Sequence, residues 1–426
     1  MQHEEKMSAG WSVRELTEKQ FDELSANSAL GGFQQTSAMA RLAASDGADT
    51  QFLGLTDEQG TPVAGAMVAY TKGRFGLEGS IWLGPLCDSA NKDQLTALTV
   101  SLRAAAHKRG AISVTCWPAQ VYRLHDSDGE PTENPDNALI DAYVSLGWRH
   151  AGFTRGYASI VNRWNYVKDL SGFDTADQLL ASYAKNTRRN VKIARNSGVK
   201  VRRLKRDELG TFHDICELSS IKQHFANRDV EYFKRLFDAF GDAAEFMVAE
   251  VHLDEYLNNW QTKLDKFEKD RTKFAASLET TKYPDDVRKK LDNAEKNVLA
   301  ARKRIEDAHL RIERDGEVVP AAVGLFMWHE RELVYFSSGS DERYAKFYAP
   351  TALQHEMMSR CLERGVKRYN FYGIDGIFDD PNSAGRGVLE FKQGFNGYIE
   401  ELPGEFTLPV DGFRYDLKRL AHLLRH

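Results

Sequence analysis

Residues 51–70, QFLGLTDEQGTPVAGAMVAY, read as two short apolar strands around a turn centred on Gly60. The next stretches, SIWLGPLCD (80–88) and QLTALTVSLRAAAHKRGAISVTCWP (94–118), give a third strand, a helix closed by Gly110, and a fourth strand. In that helix Leu95, Leu98, Leu102 and Ala105 share one face. The order recurs further on, in EFMVAEV (245–251), RDGEVVPAAVGLFMW (314–328), LVYFSSGSD (333–341) and TALQHEMMSRCLERGVKRYNFYG (351–373). Gly60, Gly84 and Gly110 correspond to Gly316, Gly339 and Gly365, at offsets of 256, 255 and 255. Near-constant offsets across different elements mark an internal duplication.

Between the first two strands of the second copy lies an insertion of another kind. Leu253, Leu257, Trp260, Leu264, Phe267, Phe274 and Leu278 keep alternating spacings of three and four, with Arg271 in the one polar register position. After Lys282–Asp286, which contains Pro284, the pattern resumes at Val287, Leu291, Ala294, Val298, Ala301, Ile305, Ala308 and Ile312. Seven-residue apolar spacing with charges elsewhere is the coiled-coil signal, and Pro followed by two Asp starts a new helix. Residues 253–313 therefore read as an antiparallel hairpin of two helices, each about 26 residues or roughly 39 Å. It is either a spacer or dimerisation arm, or a module that binds something large.

The expected fold is α/β (α+β): two tandem domains with a coiled-coil hairpin inserted in the second. The boundaries read as 11–165 for the first domain and 166–252 with 314–392 for the second. The segment 393–426 packs back on the first, and 253–313 is the arm. Strand–strand–strand–helix–strand is the order of the acetyltransferase-like (GNAT) fold, which does not by itself fix a reaction.

The chain has 426 residues, 42% hydrophobic and 28% charged, a soluble globular balance. Its charge, 57 basic against 62 acidic residues, is −5, so contact with nucleic acid requires a local patch. Four cysteines (Cys87, Cys116, Cys216, Cys361) form no C-x-x-C pair, which speaks against a disulfide framework or zinc site and fits a reducing cytosol. The polar start, Met1–Gly10, carries no secretory signal, and no apolar run approaches the roughly 20 residues needed to span a bilayer. Leu420, Leu423 and Leu424 among basic residues read as a short docking helix, or as a basic amphipathic tail at the inner membrane surface.

A local patch exists. Residues 185–206, KNTRRNVKIARNSGVKVRRLKR, hold ten basic residues and no acid. The first half has helical spacing and places Lys185, Arg188, Arg189, Lys192 and Arg195 as candidate polyanion contacts, against the alternative of a solvated helix face. Phosphate-binding and nucleophile-elbow glycine motifs are absent, as is an i, i+4 histidine pair with an acidic partner, so no metal site is expected. The remaining cluster is YNFYGIDGIFDDPNSAGRGVLEFKQGFNGYIEELPGEF (369–406). Its glycines mark a backbone that turns often or lies close to a ligand. Asp375, Asp379 and Asp380 read as turn residues before cation ligands. Lys392, between Phe391 and Gln393 at a glycine-rich strand end, is either a surface charge or a placed oxyanion donor.

This last block resembles the C-terminal signature of the Fem family of peptidoglycan-bridge aminoacyltransferases. YAKNTRRNVKIARNSGVKV and RDVEYFKRLFDAF are similar to two further family blocks, and the arm points to the subgroup like FemA and MurM. The resemblance implies transfer of an amino acid from aminoacyl-tRNA to the stem-peptide amine of a peptidoglycan precursor. That precursor is lipid II or UDP-MurNAc-pentapeptide, and the setting is the cytoplasm. An aminoacyl ester is already activated, so no cofactor is implied. Residue by residue, it implies a carbonyl-polarising role for Lys392 beside Phe391. It implies precursor contacts at Arg228 and Tyr232, a phosphate contact at Arg41 and a further precursor contact at Tyr344. One departure is that Trp117-Pro118 stands where the family usually has Asp-Pro, so a carboxylate base is not expected there. The alternatives are a transferase of the same fold with an acyl-CoA donor or another acceptor, and a non-catalytic RNA- or partner-binding protein.

Overall fold

The computed structural model describes residues 5–6, 10–158, 160–223 and 227–423. Most of the polar start, 1–10, and Leu424 of the C-terminal tail lie outside them. Strands β1 (Glu5–Lys6) and β2 (Ser12–Glu15) precede helices α1 (Glu18–Asn27) and α2 (Ser37–Ser45). Both helices start on threonine caps, at Thr17 and Thr36, that satisfy a free backbone N–H. There follow β3 (Asp49–Thr56), β4 (Pro62–Gly73), β5 (Gly76–Ile81), α3 (Lys92–Lys108) and β6 (Ala111–Cys116). The chain then passes through β7 (Arg123–His125), α4 (Asn137–Ser145) and β8 (Arg149–His150).

The second half begins with β9 (Trp164–Asp169), α5 (Ala176–Ala181), α6 (Lys185–Asn196) and β10 (Val199–Arg203). Next come α7 (Leu209–Gln223), α8 (Val230–Phe240) and β11 (Ala244–His252). The arm helices α9 (Leu253–Leu278) and α10 (Pro284–Asp315) lead to β12 (Val318–Trp328), β13 (Leu333–Ser340), α11 (Ala349–Arg364) and β14 (Arg368–Ile374). The chain closes with α12 (Arg386–Gln393), β15 (Tyr398–Glu401), β16 (Phe406–Pro409) and α13 (Gly412–Leu423).

The duplication is visible in the pairing. β3, β4 and β5 are antiparallel neighbours and β5 pairs parallel with β6 across α3. β11, β12, β13 and β14 repeat this, with α11 as the crossover. Among the described residues, the first sheet runs β1-β2-β3-β4-β5-β6-β16-β8 and the second β10-β11-β12-β13-β14-β9-β15-β7. Two short strands cross between the halves. β7, from the first half, pairs with β15 in the second sheet, whereas β16, eight positions after Tyr398, returns to pair with β6 in the first.

Alternation along the strands fills both faces of each sheet. In β4, Ala64, Ala66 and Val68 pack with Leu95, Leu98 and Leu102 of α3, while Met67 and Ala69 pack with Phe21 of α1 and Ala40 of α2. In β11, Met247, Ala249 and Val251 pack with Val191 of α6 and Leu353 and Met357 of α11. The alternate Phe246 and Val248 pack with Phe212 of α7, Phe233 and Leu236 of α8, and Leu42 of α2. Each Val, Leu, Phe or Met among them contributes about 1.5–3 kcal/mol when fully buried, and each alanine less. Leu42 joins the two halves through one shared core.

Two sequence expectations shift. The third strand of the first copy ends at Ile81, upstream of most of SIWLGPLCD, because Trp82–Leu86 turn under the Gln35 side chain, whose Nε2 donates to the Trp82 carbonyl at 2.9 Å. The arm helices differ in length, 26 and 32 residues, since α10 continues to Asp315. At the arm's base Leu253, Tyr256 and Ala308 are built into the core of the second half. Further out, Ala294, Val298 and Ala301 form the buried seam, and Trp260 lies between the cations of Lys263 (4.3 Å) and Arg304 (4.5 Å).

Candidate active site

Lys392 sits not at a strand end but in the last turn of α12, where RGVLEFKQ sets Leu389 and Lys392 three apart on the inner face. Its side chain is buried, and Nζ donates to the carbonyl oxygens of Gly373 (2.6 Å) and Tyr372 (3.1 Å). Burial pushes this ammonium down to about 7. An ammonium has three N–H donors, so one remains for a ligand. Phe391 packs edge-on against Phe395, at 5.4 Å.

The two carbonyls are held by an unusual backbone. Tyr372 has φ of 63°, the left-handed region that a bulky residue seldom adopts. Asn370 holds it there. Its Oδ1 accepts from the Tyr372 N–H at 2.8 Å, and its Nδ2 donates to Glu332 Oε2 at 3.2 Å. Glu332 accepts in turn from Arg368 Nε at 2.7 Å, and Arg368 grips both oxygens of Glu400. Burial alone would raise the Glu332 carboxyl; the charges of Arg368 and Arg331, with hydrogen bonds from Arg368 and Asn370, hold it below its ordinary value. A buried ionic chain thus braces the strand end that carries Lys392's partners. Gly373 has no room for a side chain, since a Cβ would overlap the amide of Asn162.

From Tyr372 the site extends toward α8. The Tyr372 ring packs on Phe336 and belongs to the same core as Tyr232. Arg228 is not on the helix with Tyr232, as a four-residue spacing suggests; it precedes Asp229, whose carboxylate caps α8 by accepting from the Tyr232 N–H at 2.7 Å. The exposed Arg228 guanidinium instead stacks over the Tyr232 ring at 5.0 Å. Arg41 lies on the same α2–α8 seam, bound to Glu18 at 2.6 Å, to Ser37 Oγ at 3.1 Å and to the Ala239 carbonyl at 3.3 Å. Ala239 is seven residues beyond Tyr232, two helical turns or about 10 Å along α8. Tyr344 is not part of this group. It is buried at the arm's base, its hydroxyl donates to Asp315, and Arg311 lies 5.2 Å over its ring.

The basic run divides in two. Lys200, Arg202, Arg203 and Arg206 are matched by Glu255, Glu250, Asp242 and Asp238, while among the described residues Lys205, between them, has no carboxylate within ion-pair distance. Among the described residues, Lys185, Arg188, Arg189, Lys192 and Arg195 have no carboxylate within ion-pair distance, and only Arg188 makes a side-chain hydrogen bond, to the Ala181 carbonyl. They occupy the outer face of α6, while Thr187, Val191 and Ala194 are buried. The start of α6 is tied to the end of α12. The Ala184 N–H donates to the Gly394 carbonyl at 3.0 Å, and a Cβ on Gly394 would overlap Thr187. The unpaired cations therefore begin beside Lys392's own helix.

Sequence reasoning missed Asn370, Tyr372 and Lys168. The glycine cluster announces the region of the first two, but no pattern announces a left-handed tyrosine. Lys168, in the apolar stretch WNYVKDL, is buried on β9; its Nζ donates to the Asn396 carbonyl at 3.1 Å and burial lowers it to about 8. Trp117, in the place where a base was not expected, is buried. Asp375 and Asp380 serve turns, each accepting from an N–H two residues on.

The model of the FemAB family matches residues 16–423. Aminoacyltransferase FemB of Staphylococcus epidermidis is 31% identical over 420 residues, 97% of this chain and 98% of the relative. Aminoacyltransferase FemA of Staphylococcus aureus is 28% identical over 400 residues, 93% of this chain and 94% of the relative. The crystal structure of FemX superposes with a TM-score of 0.78 at 21% identity, covering 95% of this chain and 99% of that one, a likeness of fold.

Proposed function

The chain belongs to the FemAB family and is an aminoacyltransferase; on that premise we propose that it moves an amino acid from its aminoacyl-tRNA ester to the side-chain amine of a peptidoglycan precursor's stem peptide. The observation that carries this reading is the placement of Lys392, a buried ammonium with a donor to spare, at the foot of a row of unpaired cations. The row suits an RNA backbone, whose affinity comes mainly from phosphate neutralisation. Lys392 suits the carbonyl of an ester brought to the row's end.

In that arrangement the amine attacks the ester carbon, and negative charge grows on the carbonyl oxygen. The third N–H of Lys392, in a dry site, stabilises that oxygen more in the transition state than in the ground state. The C–O bond to the ribose then breaks, and the ribose oxygen takes up the proton that the amine gives away, so the step balances without a protein carboxylate. Arg41, Arg228 and Tyr232 line the acceptor side, where the exposed guanidinium of Arg228 suits a precursor phosphate. We assign Tyr344 to holding the arm's base.

The same reading places the work in the cytoplasm, beside the membrane. Among the described residues no helix is long and apolar enough to cross a bilayer. On α13, Phe413, Leu417 and Leu420 are exposed on one face, next to Arg414 and Arg419, a pattern suited to an anionic lipid surface.

The reading is tested by offering the purified protein a muropeptide precursor with either charged tRNA or acyl-CoA. Amide formation from the charged tRNA is expected. Formation from acyl-CoA alone would replace this reading with that of an acyl-CoA transferase.

A further inference from the structure

The loop between β8 and β9, residues 151–163, exposes three large apolar side chains within eight positions. Phe153, Tyr157 and Ile160 each keep about half of their surface in water, at 53%, 52% and 55%. Grouped exposed apolar residues in a soluble chain ask for an occupant. The loop itself is well fastened. Arg163 and Trp164 both donate to the Thr154 carbonyl, at 3.1 and 3.3 Å, and the Gly156 N–H donates to the Asp375 carbonyl at 2.6 Å. Phe153 rests on Tyr122 at 4.8 Å, with the Arg163 cation 4.6 Å from its ring. Arg155, between the two aromatics in sequence, pairs with Asp379 at 3.5 Å, an exposed contact.

The loop also adjoins the reacting centre. Asn162 fills the space over Gly373, whose carbonyl holds Lys392, and Asp375 lies two residues further on. Three directions leave Lys392. The Tyr372 ring leads to Tyr232 and the acceptor side, Gly394 leads to the α6 cations, and Gly373 leads to this loop. The ester that reacts at Lys392 is carried by the terminal ribose of the RNA, so the last unpaired bases must lie within a nucleotide or two of it. Aromatic rings interleaved with a cation are what unpaired bases bind.

We infer that Phe153 and Tyr157 form a stacking platform for the unpaired 3′ end of the donor RNA, with Arg155 facing its phosphates. The inference rests on the proposed use of aminoacyl-tRNA, and names the surface that receives the donor's end.

The test uses full-length protein and two RNA minihelices, one with its complete single-stranded 3′ end and one cut flush. Parent protein is expected to bind both, the complete one more tightly. Tyr157→Ala should weaken the complete RNA at least about fivefold, the loss of one base–aromatic stack, and leave the flush RNA unchanged. Tyr157→Trp should restore binding. Phe153→Ala should act in the same direction, and because it also removes the contact with Tyr122, Tyr157 carries the test alone if that variant melts early. Equal losses for both RNAs, no loss, or a raised KM for the acceptor in place of weaker RNA binding would each overturn the platform. Failure of parent protein to bind either RNA would instead overturn the use of tRNA.

Discussion

Lys392 donates from Nζ to the carbonyl oxygen of Gly373 at 2.6 Å, inside the protein, with burial as the cause that moves its ionisation. Among the described residues no carboxylate stabilises the charge, so the ammonium loses its proton from about pH 7 upward. This gives a pH signature. The acceptor amine must be neutral to attack, which makes raw rates rise with pH; the ratio of parent to Lys392→Met turnover cancels that effect. The ratio should be flat below about pH 7 and fall toward tenfold per unit above it. A ratio that climbs above pH 7 would mean that the free amine, acting as a base, does the work.

Arg368 holds Glu332 and Glu400, which are both buried. Arg368→Met should cost about 3–5 kcal/mol, because it strands buried carboxylates. Glu332 is held below its ordinary value in the fold, so its share of stability is present above the usual carboxylate range and lost as pH falls through its lowered value. The gap between parent and variant in urea unfolding should therefore be widest near neutrality and narrow in acid. A gap that stays constant as pH falls from neutrality through the usual carboxylate range and below it would remove the ionic explanation.

The division of the basic run makes a prediction that the sequence alone does not. Replacing Arg188, Arg189 and Lys192 with Gln should weaken RNA binding and flatten the dependence of log K on log salt by about two to three units. Arg203→Gln, which removes a cation already matched by Asp242, should leave the slope alone. Equal slopes for all three proteins would mean that α6 presents a solvated face only.

The arm is joined to the second core through Leu253, Tyr256 and Ala308, so a deletion must spare the base. Removing residues 261–300 and joining the stubs with a short glycine turn should leave a folded protein. Affinity for charged tRNA should drop more than affinity for precursor. If both are unchanged and the deletion lowers the oligomeric state instead, the arm is an assembly device.

The duplication and the arm were legible because both are periodic; glycines at fixed offsets and apolar residues at threes and fours survive as pattern. The carbonyl cradle of Lys392 was not. It depends on one left-handed tyrosine, held by Asn370, and on Gly373 being approached by Asn162 from a distant loop. Nothing local distinguishes such a tyrosine from an ordinary strand residue. The ten basic residues looked alike in sequence, and only the partners that β11, α8, α9 and the α8–β11 turn bring up separate the neutralised ones from the free ones. The four-residue spacing of Arg228 and Tyr232 suits one helix face, whereas Asp229 claims the cap and leaves Arg228 one residue outside the helix.

The most direct test is single-turnover transfer from charged tRNA to precursor by Lys392→Met, which keeps most of the side-chain volume and deletes the charge. Removing one oxyanion donor typically costs roughly 10²–10³ in rate. The expected result is a fall of that size with both substrates still bound and the melting profile intact, and only partial rescue by Lys392→Arg, whose planar fork places the charge elsewhere. A near-parental rate at saturating substrates would contradict the account and leave Lys392 as a buried structural cation.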